Sequence, residues 1–314
     1  MKDNRIIDGA VTLSMLVRRS LKIFLKDKTS VFFSLLAPLI VLVLYVLFLG
    51  DIQMDTVKAA FQGAPIDEKL LKNFVDSWML AGVVSVACIT VSFSAQGIMI
   101  QDKEKGVLAD MLASPVARGL LDAAYLLSNF VVTLCICAIV LAVAFVYVAI
   151  CGWTLSFVDV VWLILLTVMS VASSSILSTL ICSALKTGSQ HSAFVGITSA
   201  VIGFLVGAFM PLSVFPKGVQ YVTLFVPGTY SAALYRNLFM RGALEKIDAA
   251  LQGAGEGLKD SFSMTLNFFG KTIGADMQAV IFAAFIAVTA VAWLVVALVR
   301  AIGRARRAKD AKVR

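Results

Sequence analysis

Charged residues are scarce in this 314-residue chain, at 15% of the sequence where about 25% is usual for a soluble protein. Hydrophobic residues make up 60% of it, against about 45–50% in soluble proteins. A water-soluble fold of this length would have too few polar residues to cover so much apolar surface. The composition therefore excludes an ordinary soluble domain and indicates a membrane protein.

The chain also lacks the residues that build disulfide frameworks and metal sites. Its five cysteines are an odd number, and most of them lie in or beside apolar segments, so we interpret them as small apolar side chains. The single histidine, His191, has no second imidazole with which to share a metal ion. We interpret it as a solvated residue at the membrane interface, and we predict no metal site and no cofactor site.

Catalytic motifs are missing as well. Gly270-Lys271-Thr272 is similar to the end of a phosphate-binding loop, but Thr265 stands where that loop requires a glycine. No apolar segment offers a nucleophile with a base or a pair of carboxylates. We therefore predict that the chain has no catalytic residues, is not an enzyme and cannot hydrolyse ATP by itself.

Six apolar segments reach the length of about 20 residues that a membrane-spanning helix needs. They are Val31–Gly50, Trp78–Ile100, Ala123–Ile150, Val160–Ile181, Ser192–Leu212 and Met277–Val299. None of them contains Asp, Glu, Lys, Arg or His. The sequence thus predicts an all-α membrane protein with six transmembrane helices.

The distribution of positive charge predicts which side of the membrane each loop faces. The two termini and the loops after the second and fourth spans carry 18 of the 27 Lys and Arg residues, and the remaining loops carry nine. By the positive-inside rule, both termini are cytoplasmic in a multi-pass protein of the cell membrane. Because these charges flank the spans, we expect them to contact anionic lipids rather than nucleic acid.

This topology divides the chain into three regions. Residues 1–30 form a cytoplasmic interface helix, residues 31–299 form the transmembrane domain, and residues 300–314 form a basic cytoplasmic tail. Within the transmembrane domain, residues 101–120 form a cytoplasmic loop and residues 213–276 form the largest extracellular segment.

The first region has the pattern of an amphipathic helix. Apolar residues cluster on one side of a helical wheel and cations on the other: Leu13, Leu16, Val17, Leu21, Ile23 and Phe24 against Arg18, Arg19, Lys22 and Lys26. Such a helix lies in the interface, with its apolar side at the acyl boundary and its cations toward phosphates. Two roles fit it: a membrane anchor, which the residues alone favour, or a gating element that contacts a cytoplasmic partner.

The extracellular segment contains two apolar stretches, Val214–Phe225 and Tyr230–Phe239. Each has about ten residues, which is too short to cross the membrane and typical of re-entrant or interfacial helices. Pro227-Gly228 separates them. We therefore predict a re-entrant helical hairpin between the fifth and sixth spans.

The lack of charge inside the spans bears on the source of energy. Ion-coupled transporters usually keep a charged residue inside the membrane, and no segment here has the pattern of a selectivity filter. If the chain moves a substrate uphill, the energy comes from another polypeptide. The loop after the second span offers a contact surface, an apolar ridge of Val107, Leu108, Met111 and Leu112, although the same ridge would also fit against the spans.

This loop resembles the coupling-helix loop of ABC-2 type exporter permeases. The shared features are the acidic entry Glu104-Lys105-Gly106, the short apolar helix, and the sequence Ser-Pro-Val-x-Arg at Ser114–Arg118. Further matches to the family lie in the first span and after the fifth: Ala37-Pro38, Val226–Tyr230 and Tyr235-Arg236.

The resemblance implies a six-span subunit that pairs with a separate ATP-binding subunit and with a second permease, as a homodimer or a heterodimer. It implies three groups of functional residues: the coupling residues Glu104, Gly106, Val107, Leu108, Met111 and Leu112; the interface-helix residues Arg18, Arg19, Lys22 and Phe24; and the extracellular gate Pro227, Gly228, Tyr230 and Arg236. Glu104 is expected to contact the ATPase or the interface helix. The long polar loop at 51–77 favours drugs, antibiotics or lipids over a polysaccharide as the substrate.

Two functional hypotheses follow. The leading one is the membrane subunit of an ATP-driven exporter, which forms the translocation pathway and binds its ATPase through the 101–120 loop. The alternative is a polytopic membrane scaffold or passive channel, in which the apolar ridge is coincidental. A lipid-modifying enzyme is disfavoured because the sequence has no acidic or metal-binding cluster in its spans.

Overall fold

The computed structural model describes residues 2–45, 47, 50–61, 67–114, 116–250, 254–268 and 270–313. Up to the end of the 101–120 loop, the described helices are α1 (Lys2–Lys26), α2 (Lys28–Leu44), α3 (Gly50–Phe61), α4 (Glu68–Ala95), α5 (Gly97–Glu104) and α6 (Val107–Ala113). The following elements are α7 (Arg118–Cys151), α8 (Phe157–Cys182), α9 (Gly188–Leu205), α10 (Lys217–Thr223), α11 (Pro227–Phe239), α12 (Arg241–Ala250), α13 (Ala254–Ser261), β1 (Leu266–Phe268), β2 (Lys271–Ile273) and α14 (Ala275–Val313).

Four of the described helical segments are long and apolar enough to cross a membrane. They are Glu68–Glu104, Arg118–Cys151, Phe157–Cys182 and Ala275–Arg300, and they contain the second, third, fourth and sixth predicted spans. The protein is therefore a helical membrane protein, and its described residues are helical apart from loops and one small β-hairpin. The total of six spans stays a prediction.

The first and fifth predicted spans have shorter helices than expected. The helix α2 ends at Leu44, and residues 46, 48 and 49 of the predicted span lie outside the described residues. The helix α9 ends at Leu205, because the chain turns at Gly207, whose φ of +70° is strained for any residue with a Cβ. Proline inside a helix usually breaks or kinks it, but α2 continues through Pro38.

The helix α4 lies at the centre of the bundle. In its most apolar stretch 83% of the residues are buried within the protein, compared with 6% for the corresponding stretch of α14. It packs against α2, α7, α8 and α11, with Phe74, Trp78 and Leu80 among its fully buried side chains. Any movement of α4 therefore affects most of the membrane helices, whereas most of the surface of α14 is not covered by the rest of the chain.

The predicted second span, Trp78–Ile100, differs from the structure at both ends. The helix α4 begins at Glu68, before the predicted span, and residues Asp67–Phe74 of the polar 51–77 loop belong to its start. The Asp67 side chain caps this end by accepting a 3.1 Å hydrogen bond from Lys69 N. At the other end α4 stops at Ala95, and α5 begins after Gln96. Gln96 Nε2 donates to Thr179 Oγ1 at 2.6 Å and fixes this break to α8.

A β-hairpin is the exception to the predicted all-α fold. Strand β1 pairs antiparallel with β2, and Leu266 opposes Ile273. Asn267 Oδ1 accepts a hydrogen bond from Gly270 N at 3.0 Å, and Gly270 has a φ of +88°. These two features form the tight turn. The stretch Gly63–Pro65, whose composition is typical of a turn, lies outside the described residues.

Candidate functional site

The apolar ridge predicted in the 101–120 loop lies on the short helix α6. Gly106 has a φ of +79°, which allows the sharp turn between α5 and α6, and Ser114 Oγ donates to Met111 O at 2.6 Å where α6 ends. None of the α6 side chains is fully buried. Leu108 packs against a buried cluster of the membrane helices that includes Ile100, while Ala109 and Asp110 of α6 are exposed.

Glu104, at the end of α5, contacts α9. Its Oε2 accepts a hydrogen bond from Gly188 N at 3.1 Å, at the first residue of that helix. A carboxylate in this position is stabilised by the free N–H groups and the dipole of the helix N-terminus. The described contact thus joins α5 to the fifth predicted span rather than to the interface helix, which was one of the two expected partners. Contact of Glu104 with an ATPase stays a prediction.

Asp102 makes the contact between α5 and α1 instead. Arg19 donates two hydrogen bonds to its carboxylate, of 2.8 and 2.9 Å, and Tyr125 Oη donates a third of 2.7 Å from α7. Asp102 is only 6% exposed, and its hydrogen bonds raise the pKa of Arg19 above the ordinary value. A bidentate, charge-assisted ion pair of this kind fixes both the position and the orientation of the two side chains.

The interface helix α1 is therefore oriented differently from the prediction. Arg19 faces the protein rather than lipid phosphates, whereas Arg18 and Lys22 are exposed. Phe24 is 5% exposed and packs in a cluster with Val91 of α4 and Val132 of α7, so it does not lie in the acyl boundary. The reason is that the last turns of α1 pack against α4 and α7.

Asp102 is the site residue that sequence reasoning missed. The helical wheel of α1 predicts cations on one side of that helix, and Asp102 is a carboxylate directly after the second apolar segment, on the same predicted side of the membrane. Those two facts are the signal that was available for pairing them. They do not single out Arg19 from the neighbouring cations.

The predicted extracellular gate lies at the start of α11, which packs against α4. Pro227 is the first residue of α11, and Pro227, Gly228 and Tyr230 are all buried. A Cβ on Gly228 would stand 2.5 Å from Ile89 Cδ1 of α4 and 3.0 Å from Val206 Cγ1. Glycine therefore allows the start of α11 to approach α4 closely.

Arg236 of the predicted gate is fully buried and fixed. It donates hydrogen bonds to the carbonyl oxygens of Val206, Gly207 and Ser263, at 2.8, 2.7 and 3.2 Å. Its guanidinium carbon lies 5.9 Å from the centre of the Trp78 ring, within the range of a cation–π interaction. Arg236 thus ties α11 to the end of α9 and to α4, and it is a fixed part of this region.

Two further polar contacts connect the membrane helices. His191 is buried, and its Nε2 donates to Phe93 O at 2.9 Å beside the α4–α5 break, so the expectation of a solvated histidine is wrong. Asn129 Nδ2 of α7 donates to Ser178 Oγ of α8 at 2.9 Å and to Ser92 Oγ of α4 at 3.2 Å. Hydrogen bonds of this kind satisfy polar groups that cannot reach water inside a membrane.

These observations define a class of protein: a polytopic helical membrane protein whose central helix leads, through a break, to a short exposed helix and to a basic interface helix. Among the described residues, no group of three or more His, Cys, Asp or Glu side chains is placed to hold a metal ion. The sequence profile of the ABC-2 type transporter family matches residues 12–240, which is more than half of the chain. The chain belongs to the ABC-2 type transporter family and is a membrane permease of an ABC transporter. A comparison with individually curated proteins gives no match.

Proposed function

We propose that the chain is the permease subunit of an ATP-driven exporter for a drug, an antibiotic, a lipid or a similar amphipathic molecule. Its working form is a dimer of six-span permeases, with cytoplasmic termini, bound to two ATPase subunits in the cell membrane. Membership of the family supports the transporter class, since permeases of this family normally work with an ATPase subunit. The observation that carries the proposal is the hydrogen-bonded contact of Asp102 with Arg19 and Tyr125 next to α6.

The coupling step begins at α6. Val107, Leu108, Met111 and Leu112 are half-buried, and Leu108 packs in part against the membrane helices. The exposed parts of these four side chains form the apolar surface on which the ATPase subunit binds. The helix α6 is joined to α5 by a two-residue turn. Because Asp102 holds α5 to α1 and α7, and Glu104 holds it to α9, a displacement of α6 is passed to three helices at once.

The central helix then carries the displacement across the membrane. The break at Gln96, which His191 and Thr179 brace, lets α5 turn relative to α4. At the far end, Gly228 brings α11 against Ile89 of α4, and Arg236 ties α11 to the end of α9. Movement of α4 and α9 therefore moves the hairpin around Pro227-Gly228, which opens the outer exit.

The test removes the apolar surface of α6. In the variant Leu108→Ala/Met111→Ala, we expect the ATPase subunit to co-purify with the permease more than tenfold less well. Central apolar residues of an interface typically contribute about 2 kcal/mol or more each, and about 1.4 kcal/mol is a factor of ten in affinity. Co-purification in detergent and the ATPase rate of the complex in proteoliposomes measure the effect.

The matched control is Asp110→Ala, on the exposed side of the same helix. It should leave both co-purification and the ATPase rate unchanged. If the double variant also keeps its partner and its ATPase rate, α6 is not the coupling surface. A wild-type chain that retains no ATPase at all would instead favour the scaffold or passive channel.

A further inference from the structure

A cavity lies at the end of α4 farthest from α6, outside the coupling contacts. It has a volume of about 130 Å³. Residues of α3, α4 and α7 border it, together with Tyr45, which directly follows α2. Its lining includes Tyr45, Met54, Lys72, Asp76 and Tyr147. Lys72 is exposed and Met54 is half-buried, so the cavity is reached from the membrane surface.

Asp76 is a buried carboxylate in this cavity, with 6% of its surface exposed. Tyr147 Oη donates to its Oδ2 at 3.3 Å. Lys72, one helical turn earlier, acts on it through its charge. Within the described part of the chain, however, no lysine or arginine nitrogen comes within the 4.0 Å of a salt bridge to Asp76. A buried carboxylate without a close cation is costly unless a counter-charge reaches it.

The other walls of the cavity suit an organic cation. Tyr45 is buried, its hydroxyl donates to Val75 O at 3.1 Å, and its ring lies against Gly50, where a Cβ would stand 3.4 Å from Tyr45 Cε1. Tyr147 contributes a second aromatic side chain and Met54 a thioether. Aromatic faces together with a carboxylate are the surroundings that recognise substituted ammonium groups.

A bare metal ion fits these surroundings poorly. Hard cations such as calcium take six to eight oxygen ligands, and the described residues offer no cluster of three or more acidic, histidine or cysteine side chains here. We propose that this cavity binds the ammonium group of an organic cation, with Asp76 as its counter-charge and Tyr45 and Tyr147 as its aromatic walls. Lys72 is the competing internal ammonium at the entrance. The site does not depend on an ATPase, so its binding is measurable on the permease alone.

The test is isothermal titration calorimetry of the full-length chain in lipid nanodiscs. Tetramethylammonium chloride is the titrant, and sodium chloride at equal ionic strength is the reference. We expect saturable binding of tetramethylammonium that Asp76→Asn weakens at least tenfold, because asparagine keeps the shape and loses the charge. Lys72→Gln should tighten binding several-fold, since it removes the competitor. The control Glu245→Gln neutralises an exposed acid of α12 and should change nothing.

A second pair of variants keeps the test decisive if Asp76→Asn folds poorly. Tyr147→Phe keeps the ring and should bind nearly as well as the wild type, whereas Tyr147→Leu should bind several-fold more weakly. The proposal is overturned if the wild type shows no saturable binding, if sodium chloride gives the same isotherm, or if both Asp76→Asn and Tyr147→Leu bind as the wild type does. Those outcomes leave the ATPase-coupling proposal untouched, because they concern the opposite end of α4.

Discussion

At the residue scale, the polar contacts of the structure gather on a few buried side chains that join distant parts of the chain. Asp102 and Arg19 are 83 residues apart in the sequence. Arg236 reaches back 30 residues to Val206. Hydrogen-bonded pairs this far apart in the sequence depend on how the helices pack. The sequence of α1 therefore predicts its cations, but it does not predict which carboxylate they contact.

The first residue-scale prediction concerns Arg19. Arg19→Ala leaves the Asp102 carboxylate with one hydrogen bond from Tyr125, and we expect a loss of about 1–3 kcal/mol of stability. This is less than the roughly 3–5 kcal/mol of a fully buried pair, because the Arg19 side chain is 33% exposed. Thermal unfolding in detergent measures the loss.

Two further variants separate this contact from a general effect of charge. Arg18→Ala removes the neighbouring exposed cation and should leave stability unchanged. The exchange Arg19→Asp/Asp102→Arg should recover part of the stability that either single substitution loses. Equal losses for Arg18→Ala and Arg19→Ala would show that the ion pair does not hold α1 in place.

At the element scale, the sequence predicts long apolar helices well and their local interruptions poorly. The helices α7 and α8 contain their predicted spans, because uninterrupted apolar runs and the polar residues that bound them fix these elements. A short helix is also present at Val107–Ala113, as expected, while its role as a contact surface stays a prediction. The break at Gln96 was not predictable in this way, since it depends on Thr179 and His191 from other helices. Tertiary contacts also account for the close seating of α11 on α4.

The element-scale prediction tests that seating through Gly228. Gly228→Ala places a methyl group 2.5 Å from Ile89 Cδ1, and overpacking of this kind typically costs about 1–3 kcal/mol. Combining it with Ile89→Ala relieves the contact with Ile89, so the loss in the double variant should be smaller than the sum of the two single losses. Gly218→Ala in α10 is the control, because a Cβ there meets nothing within 4 Å. A Gly228→Ala protein that melts at the wild-type temperature would show that α11 is free to move away from α4.

At the scale of the whole molecule, the open question is whether the first and fifth predicted spans cross the membrane. Among the residues that the structure describes, four helical segments are long and apolar enough to cross a membrane, whereas α2 and α9 are shorter than their predicted spans. Hydropathy averages over about 20 residues and does not register the turn that ends α9. With six spans, every loop that the positive-inside rule assigns to the cytoplasm lies in the cytoplasm. If the first or the fifth segment did not cross the membrane, every loop after that segment would lie on the opposite side.

The last prediction therefore brackets these two segments with single cysteines in a chain whose five native cysteines are replaced. Lys28→Cys and Asp55→Cys flank the first span, and Lys186→Cys and Lys217→Cys flank the fifth; all four positions are exposed. An impermeant maleimide added to intact cells should label positions 55 and 217 and leave positions 28 and 186 unlabelled, because basic flanks stay in the cytoplasm. Permeabilised cells, in which all four should react, control for reactivity. Labelling of both members of a pair from outside would mean that the segment between them does not cross, and labelling of 28 and 186 alone would reverse the orientation of the whole protein.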